Sequence, residues 1–595
     1  MSLTLLSDLA VLLLVLGTTA IVLLGWGNLS WRILGIEQPN KPSVISVWLG
    51  FCIVIGCIEI VHLFVPIDWK VTFAVGMIGL IGQLVRPKVS VNSGRESTRG
   101  DYALISLTLM FIGAVRQYPL RSFIVIAIVV TWCLRAMEVP TMYDSGLYHF
   151  GSIRWLNEYP MVPGLGNLHW RLALNQSYFG FLAILNVAPL WGKGYAAGGL
   201  FLLLLTAFTL FEVGVMQSKL WRWIFGGVLF SYLCLISGSV NNPLPDLAVS
   251  LLQIVIFLFL YILLFNENAE VGSSSRTFER GLIVLIFLCI ALTTVKLSGL
   301  GFAIACISVF LFFKEKVFQR TFIRPLLIAS VLIGLWVLLH VGRGYMLSGA
   351  PLFPSPLGGV WSLPWAVEVG VAHNESQLIY AWAKRPGVQL IGEVVFSDGW
   401  FMPWTRQIPK YIWAIVLSSF ALNCAAFFLC ATRKRHLSID WRPSLLLAYP
   451  VVLSTVFWFV TAPDVRFLGA MAVLYLCCSA WTFLLICESM SLFPSLTALN
   501  PAPSFRYLIF SMVVFLFFRW SFLDVKATGW EPLPHVGLST YTTRASLVVN
   551  IPINGAQCWD APLPCAVQSH DSLRRLSLPD WINRVWPERL ALTTR

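Results

Sequence analysis

The chain has 595 residues, of which 57% are hydrophobic, and its mean hydropathy is +0.78. Together with repeated apolar runs about as long as a bilayer is thick, this composition excludes a soluble globular protein and predicts an all-α polytopic membrane protein. The formal net charge of +13 does not indicate a nucleic acid partner, because the Lys and Arg residues stand in short clusters between apolar runs, where the positive-inside rule places them in the cytoplasm.

Apolar runs of spanning length predict the membrane topology. Two shorter runs, 102–115 and 174–191, would disturb the charge pattern if they crossed, so we interpret both as re-entrant or interfacial, although the sequence leaves crossing open. The predicted spans lie near residues 4–26, 43–65, 70–85, 121–137, 195–216, 222–239, 246–265, 281–295, 298–313, 324–342, 411–431, 443–461, 467–488 and 507–522.

This topology divides the chain into three parts. Residues 1–120 form an N-terminal transmembrane extension, and residues 121–523 form a transmembrane core with outer loops 138–194 and 343–410. Residues 524–595 form an extracytoplasmic tail, too short and irregular for more than a small appendage.

Two cysteines of the tail stand apart from the others. Cys558 and Cys565 lie in a polar segment, whereas the remaining cysteines lie within or at the ends of apolar runs. A disulfide could close this spacing in an oxidising compartment, and a metal site is disfavoured because no His or second Cys pair accompanies them.

The most polar stretch between spans runs from Glu138 to Ser177 and contains Asp144, just past a hydrophobic helix. Asp144 could cap the short helix that follows, or it could be a catalytic carboxylate, and the residues alone leave both open. Aromatic side chains on one side of that helix predict that it lies flat on the membrane and holds Asp144 at headgroup depth. They are Tyr148, Trp155 and Tyr159.

Other ionisable residues near Asp144 each have two interpretations. Glu138 could be a second acid or a solvated loop carboxylate. His149 and His169 do not have metal-ligand spacing, so they are surface histidines or substrate contacts. Arg135 lies in the last turn of an apolar span, where it either extends to the interface or binds a phosphate.

Three cations are predicted on the outer side of the membrane. Lys296 interrupts the apolar run 281–313, which is too long for one span, and therefore marks a tight turn between two spans. Arg343 and Arg466 would face the same side, and three cations around a cavity would suit a lipid phosphate or pyrophosphate. A lone lysine in a turn would by itself be ordinary.

The loop 343–410 is rich in Pro, Gly and Trp and has no strand pattern, so we expect an ordered, partly helical cap. Its Asp398-Gly399-Trp400 sequence would suit sugar binding or interfacial anchoring. The chain has no phosphate-binding glycine motif and no room for a soluble nucleotide-binding domain, which favours a donor carried on a lipid.

The stretch with Tyr143-Asp144, the following helix and the Pro/Gly bend resembles the first extracytoplasmic loop of the GT-C superfamily of glycosyltransferases. Those enzymes are polytopic, take sugar from polyprenyl-phosphate donors and carry an essential acidic residue after a hydrophobic helix. Many relatives have two adjacent acids, whereas Ser145 follows Asp144 here. Several short motifs resemble more closely a family of bacterial membrane proteins with no assigned function. These motifs are YDSGLYH, IRWLNEYP, PLPD, KLSG and APDVRF.

The resemblance implies a GT-C-like helical bundle and an inverting glycosyltransferase on the extracytoplasmic side of the bacterial inner membrane. Its partners would be a polyprenyl-phosphate sugar donor, an acceptor that is a glycan, lipid or protein, and the bilayer. Asp144 would be the base. The predicted donor-phosphate ligands are Arg135, Lys296, Arg343 and Arg466. The predicted substrate contacts are Glu138, Tyr148, His149, His169, Arg171, Asp246 and Asp464.

No cofactor is certain from the sequence, which leaves room for a divalent metal. Two other classes stay open: a polysaccharide polymerase or ligase, which typically relies on arginines or a histidine in its outer loop, and a lipid-linked sugar flippase or transporter. A transporter would need polar residues near the middle of the membrane and often has internal repeats. The sequence has no convincing repeat, and its charged residues gather at span ends.

Overall fold

A computed structural model gives the fold of the chain. It describes residues 3–37, 39, 43–84, 116–117, 119–215, 220–265, 274–313, 320–388, 392, 394, 398–432, 439–490, 525, 527–567, 571–576 and 590–594. These residues are mostly helical, and nine of their helices are long and apolar enough to cross a membrane. The chain is thus compatible with a multi-pass membrane protein. The predicted segments 102–115 and 507–522 lie outside the described residues.

The first half of the chain carries the centre of the helix bundle. Its helices are α1 (Leu3–Leu34), α2 (Val44–His62), α3 (Trp69–Leu84), α4 (Pro119–Ala136), α5 (Phe150–Glu158), α6 (Ser177–Leu185), α7 (Gly194–Val215), α8 (Leu220–Ile236) and α9 (Pro245–Phe265). In the most apolar part of α9, 83% of the residues are buried inside the protein. A helix that is apolar on all sides is expected at the centre of a bundle, and α9 packs against α7, α10 and α16.

The second half completes the bundle and adds a small tail. Its helices are α10 (Ser274–Val295), α11 (Leu300–Val309), α12 (Arg320–Ser348), α13 (Val369–Lys384), α14 (Phe401–Gln407), α15 (Lys410–Thr432), α16 (Arg442–Thr461), α17 (Val465–Leu468) and α18 (Met471–Ser489). The tail holds two antiparallel pairs of strands. They are β1 (Leu538–Thr542) with β2 (Val548–Pro552) and β3 (Arg574–Arg575) with β4 (Leu592–Thr593).

The run 174–191 contains only the nine-residue helix α6, which is buried between α2, α5 and α7. At 1.5 Å per residue, α6 is too short to cross a bilayer. This agrees with the interpretation of 174–191 as a segment that does not cross the membrane, whether re-entrant or interfacial. The break at Lys296 also has the predicted form: α10 ends at Val295, a 3₁₀ turn covers Leu297–Gly299, and α11 follows.

Two predictions about the loops are wrong. The loop after α12 begins at Gly349 instead of Arg343, because the helix continues beyond its apolar run and ends where Gly349 adopts a φ of +83°. Arg343 therefore lies within a helix. Tyr148 and Trp155 are buried in the protein and do not form a membrane anchor, because they pack against α6 and the tail.

Several loops meet at one end of the bundle, which we call the site end. Hydrogen bonds connect the turn after α2 to the segment around α5: Ile67 N–H donates to the Leu156 carbonyl oxygen, and Met161 N–H donates to that of His62. The loop before α9 contacts the loop after α4, because Asn241 Nδ2 donates to the Val139 carbonyl oxygen. The loops that carry the candidate residues are therefore held together.

Candidate active site

Asp144 ends the loop that follows α4, and its backbone is already helical where it enters a π-helical turn, Ser145–His149. Asn242, from the loop before α9, holds this loop in place. Its Oδ1 accepts from the backbone N–H groups of Thr141 and Met142, both at 2.9 Å, and from Ser145 Oγ at 3.2 Å. The Asp144 side chain makes no capping hydrogen bond, so the capping interpretation is wrong and the carboxylate points elsewhere.

The Asp144 carboxylate is paired with two arginines, one on each oxygen. Arg171 Nη1 lies 2.8 Å from Oδ1, and Arg466 Nη1 lies 3.4 Å from Oδ2. The side chain is 21% exposed, and that of Arg466 is 45% exposed. Asp144 is therefore a partly solvated carboxylate, and Arg466 lies on the open side of the site.

The turn between α16 and α18 carries Arg466 and its second partner, Asp464. Asp464 Oδ1 caps α17 by accepting from the Arg466 N–H at 2.8 Å, and its Oδ2 accepts from Arg466 Nη2 at 2.9 Å. Burial would lower the pKa of Arg466, but the hydrogen bonds and charge of Asp464, with the charges of Asp246 and Asp144, raise it above its ordinary value. Arg466 stays charged at any accessible pH.

Lys296 and Asp246 form a neighbouring ion pair. Lys296 Nζ lies 2.5 Å from Asp246 Oδ1 and 4.3 Å from the centre of the Phe467 ring. Asp246 stands in the first turn of α9, where the helix dipole favours a carboxylate. We call the combined set the Asp144 cluster: Asp144, Arg171, Asp246, Lys296, Asp464 and Arg466.

Tyr148 and His149 are both buried, and both interact with charged residues of the Asp144 cluster. Burial, assisted by the charges of Lys296, Arg171 and Arg466, lowers the pKa of His149 well below its usual value, so its imidazole is neutral. Its Nδ1 atom has no hydrogen-bond partner among the described residues. The Arg171 guanidinium lies 5.8 Å from the centre of the Tyr148 ring.

Three other predicted site residues, His169, Arg135 and Glu138, lie in or near this loop, and their contacts with the protein are as follows. His169 is buried, stacks on Trp170 and accepts a hydrogen bond from the Arg171 N–H through Nδ1, so it shapes the backbone that carries Arg171. Arg135 is buried near the end of α4 against the Gly238 backbone. Glu138 is half-buried just after α4, with its backbone N–H bonded to the Arg135 carbonyl oxygen.

Comparison with known protein families identifies the family of the chain. Residues 9–474 match the family model described as a domain of unknown function, DUF8201. The chain belongs to the DUF8201 family. The matched range contains the whole Asp144 cluster and excludes the C-terminal tail. No curated protein and no solved structure matches the chain.

Arg343, also within the DUF8201 range, is not part of the Asp144 cluster. It is buried, and its Nη1 donates to His62 Nδ1 at 3.0 Å, while its Nε lies 3.7 Å from Glu59 Oε1. Glu59 also pairs with His340 Nδ1 at 2.8 Å and accepts from Trp336 Nε1 at 2.9 Å. We call Glu59, His62, His340 and Arg343 the α2–α12 clamp.

The α2–α12 clamp is hydrogen-bonded to residues on both sides of the segment that carries Arg171. His62 Nδ1 must accept from Arg343, since a guanidinium only donates, and so its Nε2 carries the proton bonded to the Tyr159 carbonyl oxygen. Asn175 contacts both Arg343 Nε and the His340 carbonyl oxygen. Residues 159 and 175 flank the segment that holds Arg171. Sequence reasoning missed Glu59 and His340 because each is an isolated polar residue in an apolar run.

The tail beyond the DUF8201 range contacts the Asp144 loop directly. Cys558 and Cys565 are joined by a disulfide. Within the bridged loop, Trp559 N–H donates to the Gly146 carbonyl oxygen at 2.8 Å, and just before it Gln557 Nε2 donates to that of Tyr143 at 2.8 Å. The tail is therefore packed on the site end, and no length or composition signal in the sequence predicts this contact.

Metal binding has no evident site here. Among the described residues, no three His, Cys, Asp or Glu side chains are grouped to hold a metal ion. The aspartates of the Asp144 cluster are instead each paired with a cation.

Proposed function

We propose that this chain is an inverting glycosyltransferase that moves a sugar from a polyprenyl-phosphate donor to an acceptor on the extracytoplasmic face of the bacterial inner membrane. One observation carries the proposal: the Asp144 carboxylate, 21% exposed, lies at the ends of apolar helices beside Arg171 and Arg466. A partly solvated carboxylate among cations can accept a proton close to a phosphate.

Asp144 is the general base of the proposed reaction. It takes the proton of the acceptor hydroxyl as that oxygen attacks the anomeric carbon, while the bond from that carbon to the donor phosphate oxygen breaks on the opposite face. Arg171 and Arg466 hold separate oxygens of the carboxylate, which fixes its plane. A fixed plane favours one direction of proton transfer.

Lys296 and Arg466 are the proposed phosphate ligands. Negative charge grows on the leaving phosphate, and a preorganised cation stabilises that charge. Lys296 has three N–H donors and Arg466 has five, so their bonds to Asp246 and Asp464 leave donors unused. Arg343 does not take this role, because it is buried against Glu59 and His62. Arg135 is also buried, whereas Arg466 lies on the open side of the site.

The position of the site suits a donor that lies in the membrane. The basic clusters of the sequence stand on the opposite side of the predicted spans, which supports an extracytoplasmic site end. The helices α15 and α16, which precede the turn that carries Arg466, expose large apolar side chains such as Phe420 and Val456, which suits contact with lipid. A polyprenyl chain there would bring its phosphate to Arg466.

The test replaces Asp144 in cells. A strain without the gene is complemented with wild type, Asp144→Asn or Glu158→Gln, and its envelope glycans are analysed by mass spectrometry. Glu158 is the matched control, because it is an exposed carboxylate at the end of α5, the helix that follows Asp144, and pairs only with Arg154 among the described residues. Asp144→Asn is expected to lower product formation by roughly 100-fold to 10,000-fold at equal protein abundance, and Glu158→Gln to leave it unchanged.

Full product with Asp144→Asn would overturn the proposal. So would purified protein that moves a lipid-linked sugar across vesicles without forming a glycosidic bond, since that result identifies a transporter.

A further inference from the structure

Arg171 bridges two carboxylates with two different nitrogen atoms. Its Nη1 lies 2.8 Å from Asp144 Oδ1, and its Nε lies 3.5 Å from Glu375 Oε1. The bond to Asp144 is a close hydrogen bond, whereas the contact with Glu375 is an ion pair at longer range. The guanidinium is therefore shared unequally between the two acids.

Glu375 comes from a part of the chain distant in sequence. It lies in α13, between α12 and α14, and its side chain is only 4% exposed. The far end of α13 is tied to the turn that carries Asp464: Lys384 Nζ lies 4.3 Å from the Trp400 ring centre, and Trp404, which packs on Trp400, donates to the Pro463 carbonyl oxygen. Because α13 is anchored, Glu375 is held against Arg171.

Glu375 is poised between its two protonation states at neutral pH. Burial raises the pKa of Glu375 to about 7, the nearby Asp144 charge adds to this shift, and Arg171 opposes it. The charged groups that face Glu375 are Arg171 and Asp144, and the indole of Trp170 also lies beside it. The Trp170 indole acts with Arg171 in favour of the ionised form, against burial and the charge of Asp144. The Oε1 atom of Glu375 has no hydrogen-bond partner among the described residues.

We propose that Glu375 is a positioning residue that draws Arg171 away from Asp144 when it is ionised and releases Arg171 to Asp144 when it is protonated. This inference rests on the proposed function. When Arg171 keeps its hydrogen bond to Asp144, its positive charge stabilises the carboxylate and makes the carboxylate a weaker base. When ionised Glu375 takes a larger share of Arg171, Asp144 becomes more basic.

The sign of the pH effect follows from this competition. Below the pKa of Glu375, its carboxyl group is neutral and does not attract Arg171. Arg171 then remains hydrogen-bonded to Asp144, and sugar transfer is slow. As the pH rises through about 7, Glu375 loses its proton to water and transfer becomes faster. The site is therefore switched by a second carboxylate that never contacts substrate.

The pH profile of transfer by the full-length protein tests the inference. Glu375→Gln keeps the side-chain shape but stays neutral, so its activity should match wild type near pH 6 and be roughly tenfold lower near pH 8. Glu375→Asp should restore part of the rise. The matched control is Glu368→Gln, an exposed glutamate just before α13, which should keep the wild-type profile. A rise through pH 7 that persists in Glu375→Gln would overturn the inference.

A second readout needs no substrate. Infrared difference spectra of the purified protein in lipid nanodiscs, recorded between about pH 5 and pH 9, should contain the stretching band of a buried protonated carboxyl that disappears near neutral pH. The band should be absent in Glu375→Gln and present in Glu368→Gln. If no such band titrates, Glu375 is not the switch, whatever the activity. If the band titrates but Asp144→Asn is fully active, the proposed function fails instead.

Discussion

Lys296 and Asp246 join the end of α10 to the start of α9 through an ion pair of 2.5 Å. The two residues are 50 positions apart, and both side chains are partly exposed. The ammonium group also lies over the Phe467 ring, so its position is set from two sides. Lys296 is thus a preorganised cation with further N–H donors, next to Asp246 and Phe467.

The first prediction concerns phosphate binding by Lys296. Lys296→Gln removes a charged donor, so binding of a polyprenyl phosphate should weaken roughly 10-fold to 100-fold. The variant is expected to fold, because the carboxylate of Asp246 still interacts with the positive charge of Arg466. The measurement is a titration of the protein in nanodiscs with a polyprenyl phosphate. Lys70→Gln, an exposed lysine at the start of α3, is the control. Equal affinities for both variants would remove Lys296 from the phosphate site.

The second prediction concerns the contact between the tail and the Asp144 loop. A Cβ atom at Gly146 would lie 2.5 Å from Trp559 Cε2 and 2.9 Å from Gln557 Nε2. Gly146→Ala should therefore push the tail off the π-helical turn. We expect faster hydrogen exchange in residues 143–147 and 557–560, with a several-fold loss of transfer because Asp144 is less well positioned.

A matched glycine substitution separates this contact from a general effect on the helix. At Gly151, one turn further on, a Cβ would meet only Leu172 Cδ2 at 3.8 Å, which is an ordinary contact. Gly151→Ala should leave exchange and transfer unchanged, and Gly146→Ala with Trp559→Ala should recover part of the loss. If the two single variants behave alike, the tail contact does not support the site.

The third prediction concerns the α2–α12 clamp. Glu59→Gln leaves the buried guanidinium of Arg343 without its carboxylate, which should lower the free energy of unfolding by about 3 kcal/mol. The measurement is unfolding of the purified protein in mixed detergent micelles. Adding Arg343→Gln to Glu59→Gln should cost less than the sum of the single changes, because the two side chains share one interaction.

The same variants distinguish a clamp from a phosphate ligand. Arg343→Gln should lower stability and leave the affinity for a polyprenyl phosphate within about threefold of wild type at temperatures where both are folded. An Arg343→Gln protein of unchanged stability whose affinity falls as far as that of Lys296→Gln would show that the sequence-based assignment of Arg343 was right.

Local sequence signals located the parts of the site that lie at breaks in apolar runs. Asp144, Asp246, Lys296 and Arg466 are each a charged residue at the end of a predicted span, and the structure brings them together. Charged groups at such positions need water or a partner. The turn at Lys296 followed from two signals: its apolar run exceeds what one span requires, and Lys296 interrupts that run.

The same signals failed where a partner decides the role of a residue. Arg343 and Arg466 both resemble cations at span ends, yet Glu59 and His62 bury the first, while the second stays 45% exposed. Glu375 lies in a loop whose sequence indicates only a partly helical cap. Its importance depends on a contact with Arg171, more than 200 residues away along the chain.

The sequence by itself determined the helical membrane class and the places where charges interrupt apolar runs, because both depend on the cost of exposing polar groups to lipid, which acts on each segment separately. The tertiary structure alone decided which cation faces which carboxylate, that Arg171 is shared by Asp144 and Glu375, and that the tail rests on Gly146. Those pairings depend on distances of a few ångströms between segments remote in the chain, and an electrostatic interaction of that range has no counterpart in local composition.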